Sequence, residues 1–244
     1  MKAFILAAGE GTRLRPITDT IPKCLVPIQG RPLLAIWLDL CRRSGIGEVL
    51  INLHARAGDV RRFLAPGDHG LVVRLVEEPT MLGSAGTIAA NRAWVRSEPC
   101  FWIFYADVLT NMDLPRMLAF HHQAGMSATL GVYEVENPSQ CGIVEADGGN
   151  VIRGFVEKPA HPISNLAFSG LMIGTPEFLD AVPGRAPADL GFHVFPHLIG
   201  RMAAYQSTEY VIDIGTPDKY EEAQRTWPGL PMPMEHTNVA GSNL

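Results

Sequence analysis

The sequence predicts an α/β fold built on a mixed, mostly parallel central sheet. In the first half of the chain, short apolar runs alternate with segments of helical periodicity, which is typical of parallel strands joined by crossover helices. In the second half, short strand-like segments are separated by Gly, Asn and Pro turns, which indicates a more mixed sheet added to the first. At 244 residues with 47% hydrophobic content, the chain can bury one full core with a small additional lobe.

Strand and helix patterns define the elements of the first half. We predict strands at 3–8, 48–53, 71–76 and 101–105, and helices at 33–43, 59–64 and 86–94. The first of these helices has an apolar face that includes Ile36, Trp37 and Leu40, and Gly45 follows near the position expected after a helix end.

The second half is predicted from shorter patterns. We expect strands at 128–135, 142–145, 151–156 and 167–173, and helices at 189–202 and 217–225, although Pro196 interrupts the former. Residues 228–244 are rich in Pro, Gly, Asn and Met without any period, and we expect a flexible tail there.

Composition limits the classes of function. The formal net charge of −5 argues against a nucleic-acid-binding surface, which usually needs a basic stripe. The four cysteines lack metal-ligand spacing and are predicted to be reduced thiols, three of them in apolar runs. No secretory signal pattern begins the chain and no apolar stretch reaches the length of a membrane span. We therefore expect a soluble, cytoplasmic protein that binds neither nucleic acid nor membrane.

The densest chemical signal follows the first predicted strand. Gly9 and Gly11 allow the backbone to approach a ligand closely, and Arg13, Arg15 and Lys23 add cations just beyond. Exposed N–H groups with fixed cations suit a polyphosphate ligand. The alternative interpretation of this segment is an ordinary turn with basic surface residues. The segment lacks the residue order of a P-loop and the third glycine of a dinucleotide-binding loop, which weakens both of those interpretations.

Together with later segments, this loop resembles the sugar-phosphate nucleotidyltransferases, which join a nucleotide to a sugar 1-phosphate. The matching segments occur in the family's order and are Leu6-Ala7-Ala8-Gly9-Glu10-Gly11-Thr12-Arg13-Leu14-Arg15-Pro16, Pro22-Lys23-Cys24-Leu25-Val26-Pro27, Leu82-Gly83-Ser84-Ala85-Gly86, Tyr105-Ala106-Asp107, Val156-Glu157-Lys158-Pro159 and Asp213-Ile214-Gly215-Thr216-Pro217. Two positions depart from the family's usual pattern: Cys24 replaces a proline, and Tyr210 replaces a tryptophan before the last segment.

The resemblance implies a fold and a domain layout. It implies a Rossmann-like three-layer α/β/α sandwich, similar to glycosyltransferase-A folds, with a small sugar-binding lobe. Residues 1–227 would form one catalytic domain, with a nucleotide-binding half at 1–125 and a sugar-phosphate-binding half at 126–227. With no internal repeat and little chain after the last motif, the sequence looks like a core-only member.

The resemblance also implies a reaction that needs charge neutralisation and in-line positioning rather than a protein nucleophile. Arg13, Lys23 and Asp107 would be the catalytic residues, and Asp107 and Asp213 would hold one Mg²⁺. The alternatives are surface salt bridges for the two cations and a turn or helix cap for each aspartate.

Two further sets of residues are implied for the substrates. The nucleotide-binding set is Leu6, Ala8, Gly9, Gly11, Thr12, Arg13, Glu78, Gly83, Ser84 and Gly86. The sugar-phosphate-binding set is Gly142, Glu157, Lys158, Asn165, Ser169 and Gly170. Ser84 could serve instead as a helix N-cap, and Glu157 and Lys158 could be an exposed ion pair before a proline turn.

The substrates implied are a nucleoside triphosphate and a sugar 1-phosphate, and a homodimer is a possible assembly. The motifs are most similar to guanylyltransferases acting on mannose- or heptose-type 1-phosphates. Uridylyl or thymidylyl transfer to an amino-sugar or glucose 1-phosphate stays open. A non-catalytic subunit that binds nucleotide sugars and has a regulatory role is the alternative from another class, although such a subunit need not keep all four of Arg13, Lys23, Asp107 and Asp213.

Overall fold

The structure is a computed structural model that describes residues 1–67 and 69–231, so most of the predicted tail lies outside the described residues. The strands are β1 (Lys2–Leu6), β2 (Pro27–Ile28), β3 (Arg31–Pro32), β4 (Glu48–Leu53), β5 (Val72–Glu77), β6 (Phe101–Tyr105), β7 (Val108–Thr110), β8 (Ala128–Glu134), β9 (Gly142–Ala146), β10 (Ile152–Glu157), β11 (Leu166–Gly174), β12 (Met202–Gln206) and β13 (Val211–Asp213). The helices are α1 (Ile17–Thr20), α2 (Leu33–Arg43), α3 (Ala57–Leu64), α4 (Ser84–Ala90), α5 (Arg92–Val95), α6 (Leu114–Ala124), α7 (Pro176–Ala181), α8 (Leu190–His193) and α9 (Pro217–Thr226). Short 3₁₀ turns occur at Thr12–Leu14, Lys23–Leu25, Pro138–Gln140 and Phe195–Leu198.

The central sheet confirms the predicted α/β class. Its first half has the order β5-β4-β1-β6, and all of these pairings are parallel. Because side chains alternate across a strand, Phe4 packs into the hydrophobic cluster on one face of the sheet and Ile5 into the cluster on the other. Burial on both faces explains why β1 and β6 read as nearly continuous apolar runs, and it produces the predicted three layers.

The second half of the sheet is mixed, as predicted. Strand β11 pairs antiparallel with β6, β8 and β9, while β12 pairs parallel with β8. The register between β11 and β8 shifts between Phe168 and Met172. This irregularity is a bulge, a feature that re-aims side chains at the edge of a site.

One predicted helix is wrong over most of its length. Residues 189–202 contain only the short helix α8 and a 3₁₀ turn, and Met202 begins strand β12. Val194 leaves the helical conformation with φ −123°, and Pro196 follows without a backbone N–H to continue a helix. The predicted helix at 86–94 is likewise divided into α4 and α5 at Asn91.

Two further observations concern the cysteines and the length of the helices. Cys24, Cys41 and Cys100 are buried free thiols, as predicted, and burial raises the pKa of Cys24 to about 12. Among the described residues, no helix has both the length and the apolar character needed to cross a membrane.

The topology creates a crevice at one edge of the sheet. Strand β1 lies between β4 on one side and β6 on the other, so the chain order reverses at β1. In open parallel sheets, ligands bind at such a reversal, beyond the carboxyl ends of the strands. The glycine loop follows β1 and Asp107 follows β6, which places both at this crevice.

Candidate active site

The glycine loop is held by close backbone packing. Gly11 has φ +68°, and a β-carbon there would lie 2.9 Å from Thr18 Cγ2 and 3.2 Å from Lys23 Cβ. The Thr18 hydroxyl donates to the Gly11 carbonyl at 2.8 Å. Only glycine combines this conformation with such close contacts, and the loop then leads directly into the 3₁₀ turn that carries exposed Thr12 and Arg13.

Lys23 is a buried cation between two carboxylates. It begins a 3₁₀ turn whose other members, Cys24 and Leu25, are also buried, and the lysine itself is only 9% exposed. Its Nζ lies 2.6 Å from Asp107 Oδ2 and 3.7 Å from Asp213 Oδ1. Lysine is almost never buried unless it is paired, so these two contacts account for its position.

A two-stranded ribbon brings the two aspartates together. Strand β13 pairs antiparallel with β7, which follows Asp107, and the register sets Asp213 opposite Val108. The backbone N–H of Ile214 also donates to the Asp107 carbonyl at 3.0 Å. Residues far apart in the chain are thereby fixed side by side at the carboxyl end of β6.

Neighbouring charges act on Asp213 from both sides. Partial desolvation of the half-exposed Asp213 side chain and the Asp107 charge raise the pKa of Asp213, while Lys23 and Arg13 oppose that rise. A β-carbon on Gly215 would lie 2.8 Å from Asp213 Oδ1 and 3.0 Å from Arg13 Nη2, so the guanidinium approaches the same place. Two carboxyl groups and two basic side chains thus meet at one place.

The donor set fits a hard divalent cation such as Mg²⁺. Asp107 and Asp213 offer carboxylate oxygens directed at a single positive group, the Lys23 ammonium. Within 1–67 and 69–231, no group of three or more His, Cys, Asp or Glu side chains could enclose a metal by itself. A cation here would therefore complete its shell with water and substrate phosphates, which is how Mg²⁺ is usually bound.

One cleft, here called the nucleotide-side cleft, opens beside this cluster toward residues that the sequence predicts to bind the nucleotide. It is lined by Leu6, Ala8, Gly9, Glu78, Gly83 and Ser84, and it reaches Lys23 and Asp107. Gly83 has φ +76°, and a β-carbon there would come within 2.3 Å of the Ala188 carbonyl. Gly86 lies behind this wall on α4, where its N–H donates to the same carbonyl at 3.1 Å.

A second cleft, here called the sugar-side cleft, opens toward residues that the sequence predicts to bind the sugar phosphate. It is lined by Gly142, Glu157, Lys158, Ser169 and Gly170, and it also reaches Arg13, Asp107 and Asp213. Ser169 and Gly170 lie in the bulge of β11. The two clefts therefore share Asp107, and the charged cluster lies where they meet.

Glu157 fits tightly at the floor of the second cleft. A β-carbon on Gly142 would lie 2.7 Å from its Oε2, and one on Gly191 would lie 2.8 Å away. Burial and the charge of Asp189 raise the pKa of Glu157, while Lys158 opposes the rise. Two glycines are needed to leave room for this carboxylate.

Comparisons with known proteins identify the family and the fold. A model of the nucleotidyl transferase family matches residues 2–228. The chain belongs to the nucleotidyl transferase family. Crystal structures with the same fold include a Bacillus anthracis protein in complex with sucrose (TM-score 0.83, 22% identity, covering 92% of this chain and 94% of that one) and HddC from Yersinia pseudotuberculosis (TM-score 0.78, 23% identity, covering 91% and 97%).

Curated relatives carry names within this family. Mannose-1-phosphate guanylyltransferase catalytic subunit beta of Xenopus tropicalis is 33% identical over 228 residues, covering 90% of this chain and 62% of that protein. UTP–glucose-1-phosphate uridylyltransferase of Synechocystis sp. is 32% identical over 244 residues, covering 92% of this chain and 63% of that protein. The chain thus spans less than two thirds of the length of these relatives.

Four of the predicted site residues, Gly11, Thr12, Gly86 and Asn165, line neither cleft. Asn165 is exposed, does not line either cleft, and its carbonyl accepts from the Val135 N–H at 2.9 Å. Its place is at the start of β11, before the bulge that carries Ser169 and Gly170. A role for Asn165 in sugar binding stays a prediction.

The structure also adds residues that family motifs did not indicate. Asp189 lines the sugar-side cleft, caps α8 through the N–H groups of Gly191 and Phe192, and accepts from the Ser84 hydroxyl at 2.8 Å. Asn52 lines the nucleotide-side cleft from the end of β4. In the sequence, Asp189 resembled an ordinary helix cap and Asn52 a lone polar residue in an apolar strand, so neither had a distinguishing signal.

Proposed function

We propose that this chain transfers a nucleotidyl group from a nucleoside triphosphate to a sugar 1-phosphate, releasing pyrophosphate. The observation that carries the proposal is the position of Lys23 between Asp107 and Asp213, at the junction of two clefts. A reaction between two phosphates needs one positively charged place that both substrates can reach. Membership in the nucleotidyl transferase family supports this assignment.

The chemistry follows from these residues. An oxygen of the sugar phosphate attacks the α-phosphorus, a new P–O bond forms, and the bond to the β-phosphate oxygen breaks as pyrophosphate leaves. The attacking oxygen is already anionic, so no general base is required. Lys23 and Arg13 neutralise the charge that develops on the phosphate oxygens and help to orient them in line.

Asp107 and Asp213 would hold Mg²⁺ in this proposal. When bound, the ion would supply Lewis-acid polarisation of phosphate oxygens and charge neutralisation. The same two carboxylates lie 2.6 and 3.7 Å from the Lys23 ammonium.

The two clefts are assigned to the two substrates. The nucleotide-side cleft, with backbone at Ala8 and Gly83 and the Glu78 carboxylate, suits a flat base that is recognised at its edge. In the sugar-side cleft, Glu157 would accept hydrogen bonds from sugar hydroxyls and Lys158 would pair with the sugar's phosphate.

We infer GTP and a mannose- or heptose-type 1-phosphate as the substrates. The name of the Xenopus tropicalis relative, 33% identical, supports this choice. Uridylyl transfer to glucose 1-phosphate is the alternative, because the Synechocystis relative at 32% identity carries that name. The predicted homodimer, the regulatory-subunit alternative and the cytoplasmic location stay predictions.

The test is a matrix of GTP, UTP, dTTP, CTP and ATP against mannose, heptose, glucose and glucosamine 1-phosphates, with pyrophosphate release measured in the presence of Mg²⁺. We expect the highest kcat/KM for GTP with mannose or heptose 1-phosphate. A higher value for UTP with glucose 1-phosphate would select the alternative. No release from any combination would refute nucleotidyl transfer and favour a binding subunit.

A further inference from the structure

A buried hydrogen-bond network lies behind the nucleotide-side cleft. It consists of Asn52, Glu78 and Thr87, which are 4%, 2% and 0% exposed. Asn52 Nδ2 donates to Glu78 Oε1 at 2.9 Å and to Thr87 Oγ1 at 3.0 Å, and the Thr87 hydroxyl donates to Glu78 Oε1 at 2.5 Å. Each of the three side chains is bonded to the other two.

The network is attached to the backbone on both walls of the cleft. Asn52 Oδ1 accepts from the Ala7 N–H at 2.7 Å, just after β1 ends. Glu78 Oε2 accepts from the Leu82 N–H at 3.0 Å, at the start of the glycine segment that leads into α4. Ala7, Glu78 and Gly83 all line the cleft.

The polarity of this network fixes the orientation of the Asn52 amide, and the Thr87 hydroxyl lies within hydrogen-bond distance of both Glu78 Oε1 and, at 3.1 Å, the Gly83 carbonyl. Asn52 must direct its oxygen at the Ala7 N–H and its amino group at the carboxylate, because the flipped amide would face donor with donor and acceptor with acceptor. A buried carboxylate is costly unless it is well hydrogen-bonded, and the donors from Asn52, Thr87 and Leu82 meet that need. Glu78 is therefore held in one orientation.

We propose that Asn52 and Thr87 are positioning residues for the nucleoside triphosphate. They fix the Ala7–Ala8 backbone and the Glu78 carboxylate, so that these hydrogen-bonding groups are already oriented before the base binds. Thr87 does not line the cleft and acts through Glu78. This inference rests on the proposed assignment of the cleft to the nucleotide.

Thr87→Val tests the proposal because it removes the hydroxyl while keeping the branched shape. We expect the Kd for GTP, measured by calorimetry with Mg²⁺, to rise about tenfold, which corresponds to the loss of one hydrogen bond to a charged group. The Kd for mannose 1-phosphate should change less than twofold. Thr87→Ser, which restores the hydroxyl, should return the GTP value to within twofold of wild type.

Asn52→Asp is a second variant. It keeps an acceptor for the Ala7 N–H but faces Glu78 with another carboxylate oxygen, so we expect a larger loss of GTP affinity than in Thr87→Val. Thr129→Val is a matched control, because Thr129 is also fully buried and bonds instead to His121 Nδ1 at 2.8 Å. That control should lower the melting temperature and leave both Kd values unchanged.

Specific outcomes decide the question. An unchanged GTP affinity in folded Thr87→Val, or an equal weakening of both ligands, would overturn the positioning role. If GTP does not bind the wild type, UTP and dTTP serve as probes in the same titration. If none of the three triphosphates binds, the positioning role is overturned as well. A wild type that binds a triphosphate but releases no pyrophosphate would contradict the proposed function alone, since the titrations need no turnover.

Discussion

Removing the charge of Lys23 should slow the proposed reaction strongly. Lys23→Met keeps the length of the side chain but removes the ammonium that lies 2.6 Å from Asp107 and 3.7 Å from Asp213. Two unit charges about 4 Å apart interact by about 4 kcal/mol at an effective dielectric constant of about 20.

Solvent reduces this interaction. The Lys23 side chain is 10% exposed, whereas those of Asp107 and Asp213 are 34% and 51% exposed. We therefore take about 3 kcal/mol for the stabilisation that the ammonium gives to phosphate charge at this place. That value corresponds to a decrease of about 100-fold in kcat/KM.

Pyrophosphate release under saturating Mg²⁺ is the assay, and the melting temperature establishes that the variant is folded. Lys23→Arg should recover less than tenfold, because the larger planar guanidinium cannot replace a compact ammonium in a buried position. Lys219→Met is the control, since Lys219 is an exposed lysine paired with Glu222 on α9 and should tolerate the change. A folded Lys23→Met with kcat/KM within threefold of wild type would refute the role of this charge.

Three further changes have distinct expected outcomes. Asp107→Asn should lower kcat at least about 100-fold and weaken activation by Mg²⁺ in a metal titration, and a cooperative thermal transition would establish that the variant is folded. Unchanged turnover would show that Asp107 does not hold the metal. Glu157→Gln should raise the KM for the sugar 1-phosphate about tenfold and leave the KM for the triphosphate unchanged, because it weakens charged acceptors in the sugar-side cleft only; equal changes in both would contradict that assignment. Burial and the neighbouring His122 lower the pKa of His121 from 6.5 to about 4. Between these pH values the unfolded chain binds a proton that the folded chain does not bind. The free energy of unfolding should therefore fall by about 3 kcal/mol as pH decreases from 6.5 to 4. Urea unfolding of wild type and His121→Asn over this range checks it, and an equally steep pH dependence in the variant would exclude His121 as its source.

Long, uninterrupted patterns made part of the fold predictable. The apolar runs at 48–53 and 101–105 became β4 and β6, and the periodic segment at 33–43 became α2, with the predicted bounds in all three cases. Each of these elements buries its apolar residues against the sheet or within it, so the local pattern and the tertiary contacts favour the same structure.

Elements whose pairing is not local could not be predicted in this way. Strands β7 and β13 have only three residues each, and they form because they pair with each other across about a hundred positions of chain.

Helix α6 is a different case, because its start and end signals are visible in the sequence: Asp113 caps it through the Arg116 N–H, and Gly125 ends it in a left-handed conformation. It was not predicted although those signals were present.

The residues of the candidate site were likewise predictable only in part. Motifs indicated Lys23, Asp107 and Asp213 separately, but only the β7–β13 ribbon explains how they meet. Asn52 and Asp189 had no motif, and their significance depends on contacts with Ala7, Glu78 and Ser84 that no spacing in the chain encodes.

The charged cluster is difficult to explain as a stabilising feature. The Asp213 side chain is 51% exposed, yet partial desolvation and the adjacent carboxylate both raise its pKa, so the folded chain holds this charge against an electrostatic cost. Apolar residues of similar size often replace buried ion pairs without loss of stability. A cluster that keeps two carboxylates and a buried lysine at the meeting point of two clefts is therefore better explained by what binds there. Perturbed ionisable groups of this kind concentrate at functional sites, and the anionic phosphates and the divalent cation of the proposed reaction are the partners that would relieve both kinds of charge.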